Sequence, residues 1–176
     1  MNILKLIKLP DIITLLSVVF AMLSIFSSIE RNFNPAAIFI LLSVIADYCD
    51  GTVARLTKRQ GNFGKHMDSL ADVIAFGVTP AVFGYMFLEQ SPLTILILTF
   101  FVCAGLIRLA RFNISPPSDY FEGLPITASG ILIPLWYFIK LPTTWLIYVY
   151  LALGILMISS IKVKKLKIKT KEKKKK

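Results

Sequence analysis

Long uncharged runs of apolar residues alternate with short polar segments along this chain. Membrane-spanning helices need about 17–25 mostly apolar residues, and most of the runs approach that length. The second run is expected to continue as a helix beyond Asp47, and the fifth is short and contains Pro134. The pattern predicts an all-α integral membrane protein with six transmembrane helices, over Ile12–Ile29, Ala36–Ala46, Leu70–Leu88, Leu93–Ile107, Ile126–Ile139 and Trp145–Ile161.

The amino-acid composition also indicates a membrane protein. Of the 176 residues, 56% are hydrophobic and 17% are charged, and the mean hydropathy is +0.71. Soluble domains usually contain about 45–50% apolar and about 25% charged residues. These values exclude an intrinsically disordered chain and disfavour a soluble enzyme, and the length suits one compact helical domain.

Basic residues are distributed unequally between the two sides of the predicted bundle. With six spans, 18 of the 20 lysines and arginines fall on one side, and only Arg31 and Lys140 fall on the other. Cytoplasmic segments are enriched in Lys and Arg, so this asymmetry predicts that both termini are cytoplasmic. Lys5 and Lys8 are also compatible with a signal peptide, but the following run is long for one and lacks a convincing cleavage site.

The formal net charge of +10 comes from the end of the chain. Ten basic residues lie between Lys162 and Lys176, where Glu172 is the only acid, and the remainder of the chain is nearly neutral. We therefore divide the chain into a membrane domain, residues 1–161, and a Lys-rich cytoplasmic tail, residues 162–176. The tail is expected to contact anionic lipid and not nucleic acid, although a nucleic-acid or scaffold module is the alternative interpretation of this segment.

Four aspartates lie in or beside the second and third predicted spans, where acidic residues are costly and usually functional. Asp47 and Asp50 are three residues apart, and Asp68 and Asp72 are four apart, so each pair shares one helix face. The polar segment 57–62 is expected to form a turn that brings the two faces together. Four neighbouring carboxylates require positive charge, and Mg²⁺ or Mn²⁺ suits oxygen ligands. Two such cations about 3.5–4 Å apart would clamp a pyrophosphate group.

Two other interpretations of the four aspartates stay open from the residues alone. Polar side chains can hold membrane helices together, but four aspartates with few compensating bases disfavour a purely structural role. A cation or proton transport site is the stronger alternative, because acidic residues in spans also mark ion pathways.

The spacing of the aspartates resembles the signature of the CDP-alcohol phosphatidyltransferases. The chain reads Asp47-x₂-Asp50-Gly51-x₂-Ala54-Arg55-x₈-Gly64-x₃-Asp68-x₃-Asp72, and every specified position matches. The resemblance implies a six-helix membrane enzyme, commonly a homodimer. Such an enzyme joins a CDP-linked lipid to a small alcohol and releases CMP.

The resemblance also implies roles for the residues of the motif. Two divalent metal ions, Mg²⁺ or Mn²⁺, are expected as cofactors, and Asp72 is expected to act as the catalytic base. The expected metal ligands are Asp47, Asp50, Asp68 and Asp72. The residues expected to surround the CDP portion of the lipid are Gly51, Ala54, Arg55 and Gly64.

Two further segments resemble the phosphatidylserine synthase branch of this family. One is residues 68–78, and the other is residues 108–113 followed by residues 120–125. The branch often has Pro-Asn-x-x-Thr before the first span, whereas this chain has Asp11 in place of the asparagine. The resemblance implies that L-serine accepts a phosphatidyl group, or its ether-linked counterpart, with glycerol phosphate or inositol phosphate as alternative acceptors.

Arg108 and Arg111 lie three residues apart at the cytoplasmic end of the fourth predicted span. Guanidinium groups bind carboxylates and phosphates through paired hydrogen bonds. We therefore expect one of them to hold the serine carboxylate or a lipid phosphate, and Asn113 to add a hydrogen bond to the acceptor. The alternative for both arginines is ordinary anchoring at the cytoplasmic face of the membrane.

Overall fold

The computed structural model describes residues 8–57, 62–114 and 120–164, and within them the fold is almost entirely helical. The α-helices are α1 (Leu9–Ile29), α2 (Phe33–Thr57), α3 (Asn62–Asp72), α4 (Thr79–Phe87), α5 (Pro92–Ile114), α6 (Thr127–Phe138) and α7 (Thr143–Ile158). A π-helical segment, Val73–Val78, joins α3 to α4 without a break. Two short strands, β1 (Tyr120–Glu122) and β2 (Lys162–Lys164), pair antiparallel with Tyr120 opposite Lys164.

The helical fold class and a helix at each of the six predicted positions are confirmed. Helices long and apolar enough to cross a membrane cover Pro10–Ile29, Phe33–Ala54, Phe63–Phe87 and Pro92–Ile114. Helices α6 and α7 are apolar but shorter, with 12 and 16 residues. The predicted end of the last helix at Ile161 was wrong, because the helix stops at Ile158 and the chain turns into β2.

Two of the turns at the end of the bundle away from the aspartates contain a residue in the left-handed region. Arg31 follows α1 with φ 60°, and Lys140 follows α6 with φ 56°, so both residues reverse the chain in the left-handed region. The hydroxyl of Tyr137 donates a hydrogen bond of 2.7 Å to Oδ1 of Asn34, at the start of α2. The two basic residues that the sequence assigns to the outer side therefore lie at the same end of the molecule.

Small and hydroxylated residues allow α1 to pack closely along α2. Ala21 and Ala36 are fully buried, and small residues at such interfaces let helix backbones approach. Ser24 Oγ donates to the carbonyl of Ala36 at 2.9 Å, and Ser43 Oγ donates to the carbonyl of Ser17 at 3.0 Å. Helix α1 also contacts α3 and α4, so its position relative to the aspartate-bearing helices is fixed from several sides.

Aromatic side chains fill the core between the remaining helices. Phe76, Phe83, Phe101 and Tyr150 are fully buried. The Tyr150 hydroxyl donates a 2.5 Å hydrogen bond to the carbonyl of Pro80. This bond satisfies a buried polar group and ties α7 to α4.

Candidate active site

Three of the predicted aspartates converge at one end of the bundle. Asp47 and Asp50 come from the C-terminal half of α2, and Asp68 comes from the middle of α3. One carboxylate oxygen of each residue lies within 4.8 Å of those of the other two. The convergence expected from the spacing is confirmed, although residues 58–61 of the turn expected at 57–62 lie outside the described residues.

Asp72 adjoins this group as the last residue of α3. Its partly buried carboxyl group lies close to that of Asp47. The charges of Asp68 and Arg108 also act on it. All four aspartates of the motif therefore belong to one site.

The donor set fits a divalent cation. Closely spaced carboxylate oxygens are the ligands that Mg²⁺ and Mn²⁺ prefer. Asp50 is only 4% exposed, and burial of charge is costly unless the group is paired or coordinates a metal. A cation held by Asp47, Asp50 and Asp68 would relieve the repulsion among three converging negative groups.

Arg108 reaches the site from the C-terminal part of α5. The side chain is 7% exposed, and its guanidinium carbon lies 5.6 Å from the centre of the Phe112 ring. Among the described residues, its Nε is the buried side-chain nitrogen or oxygen that lacks a hydrogen-bond partner. An unmatched buried donor costs about 1–3 kcal/mol, so this nitrogen is suited to receive an acceptor group from a ligand.

The surroundings of Arg111 differ from those of Arg108, although the sequence offered both as ligands of the serine carboxylate or a lipid phosphate. Its guanidinium donates to the carbonyls of Met157, Ile158 and Ser159 at 3.4, 3.2 and 3.1 Å. These carbonyls belong to the end of α7, where main-chain acceptors lack partners within the helix. Arg111 therefore fastens the end of α5 to the end of α7.

Asn113 connects α5 to α3 beside the aspartates. Its Nδ2 donates to Ser69 Oγ at 3.0 Å, next to Asp68 in the chain. Lys65 Nζ donates to the main-chain carbonyl of Asn113 at 3.3 Å. Neither Lys65 nor Ser69 was predicted as a site residue, since a lone lysine and a lone serine on a polar helix carry no distinctive signal.

The start of α1 also contributes residues that were not predicted as part of the site. Thr14 Oγ1 donates a 2.5 Å hydrogen bond to Oδ2 of Asp50. Asp11 is buried, and its Oδ2 accepts a 2.7 Å hydrogen bond from the main-chain nitrogen of Lys8. The Pro10-Asp11-x-x-Thr14 segment was the signal available in the sequence, because it differs from the Pro-Asn-x-x-Thr of the family's serine branch.

The residues expected around the nucleotide have unequal surroundings. A Cβ atom added to Gly51 would meet no atom of the described residues within 4 Å, so among them the backbone there borders open space. A Cβ on Gly64 would instead lie 2.8 Å from Oδ1 of Asp11. Ala54 is partly buried, and the side chain of Arg55 lies outside the described residues.

Comparison with known sequences agrees with this geometry. Residues 7–161 match the sequence model of the CDP-alcohol phosphatidyltransferases. The chain belongs to this family. The match takes in all four aspartates of the site together with α1 and α5, so the family's domain extends over nearly the whole described fold.

Several curated relatives of the family are similar over most of their length. The chain is 39% identical to an archaetidylserine synthase of Methanothermobacter thermautotrophicus over 163 residues, covering 88% of this chain and 69% of the relative. It is 38% identical to a CDP-diacylglycerol–serine O-phosphatidyltransferase of Helicobacter pylori, covering 86% and 70%. It is 39% identical to a protein of the same name from Methanocaldococcus jannaschii, covering 89% and 74%.

Proposed function

We propose that the protein transfers the phosphatidyl group of a CDP-linked lipid, or its ether-linked counterpart, to the hydroxyl of L-serine and releases CMP. The observation that carries the proposal is the convergence of Asp47, Asp50 and Asp68 beside Asp72 in a member of this family. The acceptor is taken from the names of the relatives, which describe serine transferases and an archaetidylserine synthase.

The aspartates Asp47, Asp50, Asp68 and Asp72 would hold two divalent cations, Mg²⁺ or Mn²⁺. When bound, such ions neutralise the pyrophosphate and stabilise the charge on the departing CMP. The four aspartates would orient the ions, because they come from two helices that α1 holds in place. Gly51, Ala54, Arg55 and Gly64 would surround the CDP group, and the open space at Gly51 supports its part of this assignment.

Asp72 is the proposed general base. Its carboxylate would accept the proton of the serine hydroxyl while the hydroxyl oxygen bonds to the lipid-linked phosphorus and the bond from phosphorus to CMP breaks. General-base assistance of this kind contributes about 10²–10⁴ in rate. The position of Asp72, close to Asp47 and within the influence of the Arg108 charge, supports the assignment.

Arg108 is the proposed ligand of the serine carboxylate or of a lipid phosphate. Its Nε is buried and unmatched, and its charge acts on Asp72, so serine held by this side chain would lie near the base. Asn113 would contribute a hydrogen bond from the same end of α5. Arg111, the third residue of this proposed set, would serve it indirectly by fastening the end of α5 to the end of α7.

The proposed topology has six spans and cytoplasmic termini, with the site facing the cytoplasm. Arg111 fastens the ends of α5 and α7 together near the aspartates. The bond between Tyr137 and Asn34 holds the opposite end. This arrangement supports α6 and α7 as the fifth and sixth crossings and a division into a membrane domain, residues 1–161, and a cytoplasmic tail, residues 162–176. A homodimer is also proposed, and cross-linking of the protein in its native membrane would test it.

The experiment supplies the purified protein and one CDP-lipid with serine, glycerol phosphate or inositol phosphate in parallel. We expect metal-dependent CMP release with serine alone. Release with a phosphorylated acceptor would contradict the serine assignment. Cation flux in reconstituted vesicles without CMP release would instead favour a transporter. Asp47→Asn should abolish the reaction, whereas Glu30→Gln, an exposed acid at the opposite end of the bundle, should not.

A further inference from the structure

Thr14 and Asp50 form a buried hydrogen bond that joins α1 to α2 at the aspartate site. Their side chains are 5% and 4% exposed, and Thr14 Oγ1 lies 2.5 Å from Asp50 Oδ2. The two residues are 36 positions apart in the sequence. The contact therefore depends on the packing of the two helices.

The geometry fixes the direction of this hydrogen bond. Thr14 Oγ1 also lies 3.2 Å from the carbonyl of Pro10, but a hydroxyl group has only one proton to donate. The shorter contact is to Asp50, and an ionised carboxylate accepts hydrogen bonds and does not donate them. The Thr14 hydroxyl therefore donates its proton to Oδ2 of Asp50, and this hydrogen bond restricts rotation of the carboxylate.

Thr14 lies on a helix that packs closely against α2. It lies in the first turns of α1, and further along the same interface Ser43 and Ser24 bond across the helices to Ser17 and Ala36. A hydroxyl on this fixed surface is therefore suited to hold the carboxylate of Asp50 in one orientation towards Asp47 and Asp68.

We propose that Thr14 is a positioning residue that orients the Asp50 carboxylate for binding a divalent cation. The inference rests on the proposed function, in which Asp50 is a metal ligand. Groups that hydrogen-bond to metal ligands orient them, and their loss typically lowers metal affinity or activity about 10–100-fold. Thr14 is expected to act through Asp50 and not by touching the substrate.

The test measures Mn²⁺ binding to the purified protein without substrate, from the electron paramagnetic resonance signal of free Mn²⁺. Thr14→Val keeps the side-chain shape and removes the hydroxyl, so its Kd for Mn²⁺ should rise about 10-fold or more. Thr14→Ser retains the hydroxyl and should restore binding close to that of the unaltered protein. Ser43→Ala is the matched control, because it removes another buried hydrogen bond between α1 and α2 and should leave the Kd unchanged.

Two results would overturn the inference. One is Thr14→Val binding Mn²⁺ as tightly as the unaltered protein, and the other is Ser43→Ala weakening binding equally, which would indicate general loosening of the interface. Folding is checked by gel filtration and thermal unfolding, and Thr14→Ala provides the same comparison should the valine variant not fold. Serine-dependent CMP release is measured separately, so that failure of the reaction with intact Mn²⁺ binding rejects the proposed function alone.

Discussion

Gly64 of α3 lies directly against Asp11 at the start of α1, and a Cβ on Gly64 would come within 2.8 Å of Asp11 Oδ1. The carboxylate cannot move away easily, because the Asp11 side chain is buried and its other oxygen accepts the Lys8 main-chain N–H. The glycine of the motif therefore has a packing role that its spacing did not reveal. It allows α1 to begin beside the helix that carries Asp68 and Asp72.

We predict that Gly64→Ala lowers the thermal stability and the rate of CMP release in the native background, because the added methyl group displaces Asp11. In an Asp11→Ala background the methyl group has room, so the same substitution should cost much less. Contacting residues usually show coupling energies of about 0.5–3 kcal/mol in such double-mutant cycles. Thermal unfolding in detergent measures the stability part of the coupling.

Asp11→Asn is the control for this cycle, since it preserves the shape of the side chain and should leave Gly64→Ala as harmful as before. An equal loss of activity from Gly64→Ala in all three backgrounds would contradict a packing role. That outcome would leave contact with the nucleotide, which the motif implies, as the role of Gly64.

Arg111 should act mainly on stability. Removing its side chain in Arg111→Ala leaves carbonyls at the end of α7 without their donors, and hydrogen bonds from charged groups are worth about 1.5–3 kcal/mol. We expect a lower Tm and an unchanged KM for serine. Arg111→Lys should recover only part of the stability, because a single ammonium lacks the fork of donors. A rise in the serine KM at unchanged Tm would show instead that Arg111 binds the acceptor.

Arg108 should affect the reaction itself. Loss of a charge-assisted contact to serine is worth about 1.5–3 kcal/mol, or roughly 10–100-fold in kcat/KM. Arg108→Lys keeps the charge but not the paired donors, so we expect most of this loss to remain, with the serine KM raised. A change confined to the KM for the CDP-lipid would assign Arg108 to a phosphate, and unchanged kinetics would contradict both assignments.

The Asp72→Asn variant distinguishes the role of Asp72 as general base from its role in the metal site. An amide cannot accept the serine proton as a carboxylate does, so CMP release should be abolished while metal-dependent binding of CDP-lipid is partly retained. Binding of a fluorescent CDP-lipid with and without chelator measures the second property. A rate close to that of the unaltered protein would reject Asp72 as the base.

The sequence was sufficient for the features that are local or periodic. Apolar runs located the helices, and the three- and four-residue spacings placed each aspartate pair on one helix face. The contacts of Thr14 with Asp50, Asp11 with Gly64 and Arg111 with the end of α7 join residues far apart in the chain. They depend on how the helices pack, which no single-helix pattern specifies. For the same reason, Arg108 and Arg111 resembled one another in the sequence but have different neighbours in the structure.

Strand β2 lies within the Lys-rich segment that the change in composition assigns to the tail. Lys162, Val163 and Lys164 form β2, which pairs with β1. The Gly123 nitrogen donates a hydrogen bond to the carbonyl of Ile161, just before β2. Removing residues 165–176 leaves this ladder intact and deletes eight lysines. Removing residues 162–176 also deletes β2 and leaves β1 without its partner strand.

We therefore predict different results for the two truncations. The protein ending at Lys164 should keep its Tm and its serine-dependent CMP release in neutral lipid, and should lose any stimulation by anionic lipid, since each basic residue near an anionic surface contributes about 1 kcal/mol. The protein ending at Ile161 should have a lower Tm and a slower reaction. Activity in nanodiscs of neutral and anionic lipid, measured beside thermal unfolding, distinguishes the two. Loss of activity in neutral lipid on removal of residues 165–176 alone would contradict the division and make the tail part of the catalytic unit.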